Sequence, residues 1–163
     1  MTIRDTTVED AAAVAGMIDV VARERRFLAT TVGFPEESTR NFIADLRSAD
    51  AVHVVAEFDG SLVGWCDIAP LPFEGMHHVG RLGMGVKRDF RGRGIGRRLL
   101  EAALLRGLGR RFERIELEVF SSNEKAVQLY ESFGFLFEGK KRAARKLDGV
   151  CDDLLIYAKL KEA

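Results

Sequence analysis

The stretch Arg91-Gly92-Arg93-Gly94-Ile95-Gly96-Arg97 interleaves glycine with arginine just before an apolar helical pattern, Leu99, Leu100, Ala103, Leu104 and Leu108. Amides at a helix start carry partial positive charge and have no helical acceptor, and glycine lets an anion approach without a Cβ in the way. The chemistry such a turn offers is phosphate binding. Lys87, Arg88 and Arg98 add to a cation density that clashes with the positive end of the helix dipole unless an anion relieves it. Two familiar phosphate signatures do not fit: GxxxxGK[ST] is missing, and Arg97 stands where GxGxxG needs its third glycine.

Other reactive side chains are fewer. Arg114–Phe120, "RIELEVF", alternates as a strand and turns Glu116 and Glu118 to one face. His53 sits among apolar strand neighbours and reads as a satisfied sheet residue; His77 and His78 fall in a loop where they could touch a substrate. No third residue at ligand spacing makes a metal site. Cys66 and Cys151 lie far apart without CxxC spacing, so we expect two reduced, buried thiols and no metal.

The elements that must position these residues can be read from periodicity. Residues 2–5 predict a strand, and Thr7 with Asp10 a capping box opening a helix through Val14, Ile18 and Val21. Pro35 enters a second helix with Phe42, Ile43 and Leu46 facing inward, after a loop over Phe27–Phe34. Strands near 51–58 and 61–70 flank the turn Asp59-Gly60, and two more flank Asp148-Gly149. Gly80, Gly83 and Gly85 make "HVGRLGMGVK" a costly strand, which suggests a bulge or a closely approaching ligand. Ser121 and Glu124 are spaced as a capping box for a helix carrying Ala126, Val127, Tyr130 and Phe133 on one side, stopped by Gly134. The order β-α-α-β-β-β-α-β-α-β-β describes an α/β fold with a mixed sheet.

A chain of 163 residues with 47% hydrophobic content can bury a core without disulfides, so a single domain over residues 1–163 is expected. Its 25 basic and 25 acidic residues balance, which argues against a surface built for nucleic acid. No apolar run reaches the roughly 18 residues that cross a bilayer. "MTIRDTTVED" lacks the basic start and apolar centre of a signal peptide, so the expected location is cytoplasmic, without a membrane or nucleic-acid partner.

Arg91–Gly96 is similar to the RxxGxG/A signature of the GCN5-related N-acetyltransferases (GNAT), and "LGMGV" and "LEVFSSNEKAVQLYESFGF" resemble that family's fourth strand, fifth strand and following helix. The resemblance runs from about Ile3 to Leu160, strongest from Leu82 to Phe135; Arg88 departs from it where many members carry proline. It implies a GNAT-type mixed, mainly antiparallel central sheet with flanking helices and a splay between strands 4 and 5. It implies acetyl-CoA as cosubstrate, its pyrophosphate held by Arg91, Gly92, Arg93, Gly94, Ile95, Gly96 and Arg97. Met84, Gly85 and Val86 of a bulged fourth strand would offer main-chain groups near the thioester, and Asn123 would bond the pantetheine arm.

Acetyl transfer needs a deprotonated amine, a polarised carbonyl and a protonated leaving thiolate. The resemblance places a catalytic glutamate at Glu118, as base, although a strand ion pair is the competing reading and Glu116 shares its face. Tyr130 is the candidate acid, a phenol with pKa about 10 beside a thiolate whose conjugate acid lies near 8.5; its competing reading is plain packing, and that of Asn123 a turn at the helix start. The acceptor wall implied is Glu24–Phe34 and Pro70–His78, where Phe27, Leu28, Phe34, Phe73 and Met76 mix with Glu24, Glu36 and Glu74. That suits a small-molecule primary amine such as an amino acid; a protein amino terminus, or a noncatalytic acyl-CoA sensor, is the alternative. A homodimer is a family expectation only.

Overall fold

Both predicted hairpin turns adopt the conformation their residues favour. Asp59 and Gly60 have φ of 47° and 74°, Asp148 and Gly149 52° and 78°, the mirror-image turn that matches strand twist. In the computed structural model, which describes residues 1–162, these turns join β2 (Val52–Phe58) to β3 (Ser61–Pro70) and β6 (Leu136–Leu147) to β7 (Val150–Leu160). With β1 (Thr2–Asp5), β4 (Val79–Val86) and β5 (Arg114–Phe120) they form one seven-stranded sheet in the order β1-β2-β3-β4-β5-β7-β6. Neighbours are antiparallel except β4 and β5, which run parallel.

Four helices cover the sheet: α1 (Ala11–Ala22), α2 (Glu36–Ser48), α3 (Ile95–Arg106) and α4 (Glu124–Ser132). Alternation along the strands divides the core in two. On one face Val54, Cys66, Ile68, Leu82, Ile115 and Leu117 pack against Leu99, Leu100 and Ala103 of α3 and Tyr130 of α4. On the other, Val55, Leu62 and Trp65 pack against Val14, Met17 and Val21 of α1 and Ile43 of α2.

The capping box at Thr7 and Asp10 forms, with Asp10 Oδ2 accepting from the Thr7 amide at 2.8 Å. The one expected at Ser121 and Glu124 does not. Asn123 caps α4, its Oδ1 accepting from the Ala126 amide, because Ser121 and Ser122 turn instead to the buried Asp152 carboxylate. Cys66 is buried as expected, whereas Cys151, at the β6–β7 turn, is exposed.

The strand glycines have an explanation other than a bulge. β3 and β4 pair without a register shift from Gly64 and Val86 to Pro70 and Gly80. A Cβ at Gly85 would stand 2.3 Å from the Trp65 ring, and one at Gly80 2.4 Å from Ile68, so side chains of β3 fill the space a residue on β4 would need. The irregularity lies on the other edge: β4 and β5 pair only at Val79–Arg81 with Arg114–Glu116 and then part. That parting is the splay, and it leaves main-chain groups of both strands without a ladder partner beyond Arg81 and Glu116.

Candidate active site

α3 follows β4 at the open end of the splay, and its first turn is the arginine-glycine stretch. Gly92 and Gly94 have φ of 73° and 76°, a region that side chains with a Cβ enter only at a cost. Gly94 caps α3, and the Arg98 amide closes the first helical bond on the Gly94 carbonyl. Among the described residues, the amides from Gly92 to Arg97 find no acceptor. This concave row of free N–H groups, with the helix dipole behind it, suits an anion.

The arginines around the turn divide their work. Arg91 does not reach outward: it makes a bidentate pair with Glu24 at 2.6 and 2.8 Å, donates from Nε to the Val86 carbonyl at 2.8 Å and lies over the Phe27 ring. Its guanidinium therefore ties the end of α1 to the end of β4. Glu24, predicted to line the acceptor wall, is consumed in that tie; Arg91, aided by Arg88, holds its carboxyl below the ordinary range. Arg93 lies over Phe90 and Arg97 over Phe133, and neither pairs with a carboxylate among the described residues.

Tyr130 comes from α4 into the α3 side of the splay. Its ring packs edge-on to Phe135, and burial pushes the phenol well above its ordinary pKa, with Cys66 adding in the same direction. The hydroxyl bonds to no described group, yet it is not among the buried atoms that lack a partner, so it keeps access to solvent. Asn123 uses its Oδ1 as a cap, leaving its side-chain amide nitrogen free. Met84 and Val86 point into the α3 side, with Gly85 between them facing Trp65.

The other face holds the carboxylates. Because Ile115, Leu117 and Val119 face α3 and α4, Glu116 and Glu118 face away. Glu116 is held by Arg81 at 3.3 Å and Arg114 at 3.1 Å, and Glu118 by Lys141 of β6 at 2.7 Å. Asp67 of β3, which sequence reasoning passed over, shares this face with Trp65. Its signal was available: one acid inside an apolar strand, "LVGWCDIA", opposite a glycine-rich partner.

His53 is buried with Nδ1 2.7 Å from Thr6 Oγ1, and desolvation lowers it to about 4. His77 and His78 sit where β4 and β5 are still paired, the His78 carbonyl accepting from the Glu113 amide, and so lie at the closed end of the splay. A cleft of about 530 Å³ opens near the end of β5, lined by Arg25, Arg26, Ser122, Arg145 and Asp152 among others.

The comparisons agree with this architecture. The chain is 37% identical over 112 residues to N-alpha-acetyltransferase RimI of Mycobacterium tuberculosis, a match spanning 66% of each chain. To L-amino acid N-acetyltransferase AaaT of Escherichia coli it is 29% identical over 109 residues, 66% of this chain and 67% of that one. The solved structure of yncA from Salmonella typhimurium with its cofactor acetyl-CoA superposes with a TM-score of 0.92 at 17% identity, over 99% of this chain and 94% of that one. Residues 19–135 match the model of the acetyltransferase (GNAT) family. An amide cradle at the start of α3, a parallel pair that splays beside it and a sequence match over most of the chain converge: the chain belongs to the acetyltransferase (GNAT) family.

Proposed function

We propose that this protein transfers an acetyl group from acetyl-CoA directly to a primary amine, and that the amine belongs to a small molecule such as an amino acid. The observation that carries the reading is the row of unpartnered amides from Gly92 to Arg97 beside the splay. Those amides, with Arg93 and Arg97, would hold the pyrophosphate, and the free nitrogen of Asn123 would bond the pantetheine arm. Bound there, acetyl-CoA supplies an activated acyl group as a thioester.

The chain's own groups then have separable tasks. Where β4 has parted from β5, a main-chain N–H of Met84, Gly85 or Val86 that turns toward the splay would donate to the carbonyl oxygen, favouring the negative charge that develops on it. Burial keeps Tyr130 protonated at neutral pH, and it gives that proton to the sulfur as the C–S bond breaks. Holding amine and acyl carbon in contact supplies much of the remaining rate.

The cleft beside β5 supports an acceptor that carries an anionic group. Arg26 makes no carboxylate pair among the described residues, and the buried Nε of Arg145 lacks a hydrogen-bond partner. A protein amino terminus is the second reading, favoured by the likeness to the RimI relative. The test is calorimetric binding of acetyl-CoA followed by thiol release against amino acids, polyamines and peptides with free amino termini. Release that requires an amine is the expected result; tight binding without release for any of them overturns the reading in favour of a sensor.

A further inference from the structure

Of the carboxylates on the acceptor face of β3, β4 and β5, Glu116 lies between two arginines and Glu118 is bonded to Lys141. Asp67 is the exception. It is half-buried, and the neighbour that hydrogen-bonds its side chain is the neutral Trp65 indole. No cation among the described residues neutralises its carboxylate on this face. It lies across Gly83, where a Cβ would stand 3.3 Å from Oδ2, one residue from the start of the splay.

We infer that Asp67 is the catalytic base, taking the proton of the acceptor ammonium group directly or through one water at the edge of the splay. The inference rests on the acetyl-transfer reading above. Position is its first support: Asp67 projects from β3 over β4 on the face opposite Tyr130, so proton acceptor and proton donor flank the splay from its two sides. Availability is the second, because Glu118 is occupied by the Lys141 ammonium group while Asp67 faces no cation among the described residues. Basicity is the third: burial pushes the Asp67 carboxyl up to about 7, with Trp65 pulling partly back, which poises it at neutral pH.

The protons balance. Asp67 takes one from the ammonium group, and the freed nitrogen lone pair forms the C–N bond as the C–S bond breaks. The sulfur leaves with the Tyr130 proton, the nitrogen returns its second proton to Tyr130, and Asp67 releases its own to water. The surrounding charges leave Asp67 as the group that titrates near neutrality on this face. His53, its register partner on β2, is neutral at pH 7; Arg81 with Glu116 on β4 and β5, Glu118 with Lys141, Glu24 with Arg91 and Arg88, and Asp19 with Arg23 on α1 are matched pairs.

The experiment compares wild type, Asp67→Asn and Asp67→Glu with acetyl-CoA and the fastest acceptor among spermine, L-methionine and an alanine-starting peptide. For Asp67→Asn we expect kcat/KM at pH 7 to fall about 100-fold or more and the limb rising through about pH 7 to vanish, with acetyl-CoA affinity within about threefold of wild type. Asp67→Glu should restore part of both. A rising limb that survives in Asp67→Asn, or a loss that follows acetyl-CoA affinity, overturns the inference. Should Asp67→Asn not fold, Gly83→Ala, whose methyl meets Oδ2, should displace the limb without weakening acetyl-CoA; an unmoved limb overturns it equally. Wild type that binds acetyl-CoA but acetylates none of the acceptors refutes the underlying reading, and the inference falls with it.

Discussion

Replacing Glu24 by Gln and Arg91 by Met, singly and together, tests whether the first arginine of the phosphate turn is a strut or a ligand. Glu24 has only 9% of its side chain exposed and Arg91 31%, and the two share a bidentate pair at 2.6 and 2.8 Å. Charge-assisted hydrogen bonds contribute about 1.5–3 kcal/mol each, and partial exposure of the guanidinium discounts this, so the double-mutant coupling energy should be about 2 kcal/mol. Urea unfolding of the four proteins at pH 7 measures it. Arg91 holds the folded pKa of Glu24 below its unfolded value, so the stabilisation is complete above about pH 4.3 and is lost as pH falls through the folded pKa. Coupling measured near pH 3 should accordingly be smaller.

Cofactor binding separates the two roles by sign. If Arg91 braces the turn, both single variants loosen it and both weaken acetyl-CoA binding. If Arg91 instead reaches the phosphates, Arg91→Met weakens binding while Glu24→Gln, which removes a competing carboxylate, tightens it. Opposite signs, or a coupling energy below about 0.5 kcal/mol, would refute the strut reasoning.

Gly94→Val should weaken acetyl-CoA by about tenfold, because φ of 76° costs a β-branched residue about 1–2 kcal/mol while a Cβ there meets nothing within 4 Å; an unchanged affinity by calorimetry counts against the cradle. Tyr130→Phe should lower kcat about 100-fold with little change in acetyl-CoA affinity or melting temperature, since the hydroxyl bonds to no described group; normal turnover from pH 6 to 9 would remove Tyr130 as the acid. Asp67, raised to about 7, makes the folded state bind more protons than the unfolded one from about pH 4 to 7, so its contribution to stability falls as pH rises. His53, lowered to about 4, acts oppositely from about pH 6.5 down to 4. Asp67→Asn should therefore be more stable than wild type at pH 8, by at most about 4 kcal/mol, and lose stability on acidification in urea titrations; equal stability at pH 8 would contradict the burial cost.

The elements were legible because each carried a local cause. Paired positive-φ turns at Asp59-Gly60 and Asp148-Gly149, apolar stripes on the helices and alternation in "RIELEVF" gave strands and helices close to their observed bounds. What was not legible depends on neighbours distant in sequence. Gly85 suggests a bulge or a closely approaching ligand because nothing near it in sequence reveals that the Trp65 ring lies across it. Ser121 read as a cap because its competitor, Asp152, is 31 residues away. The tie of Arg91 to Glu24 was likewise illegible, because Glu24 comes from the far end of α1, 67 residues earlier. Asp67 escaped notice for a related reason: a single acid in an apolar strand carries no local sign of whether a counterion awaits it.

The disposition of Cys66 and Tyr130 bears on whether the acyl group rests on the protein between substrates. Cys66 is fully buried beside the α3 face of the splay, and burial pushes its thiol well above the ordinary range, so it stays protonated and is a poor nucleophile. Cys151 is exposed at the β6–β7 turn, where it lines the cleft beside β5. On the direct transfer proposed above neither carries the acyl group, and amine and acetyl-CoA occupy the splay together. Initial rates with both varied should then give intersecting double-reciprocal lines, and Cys66→Ala should keep that pattern. Parallel lines, or an acetylated protein trapped in the absence of amine, would require a covalent intermediate and a nucleophile that the faces of this sheet do not otherwise reveal.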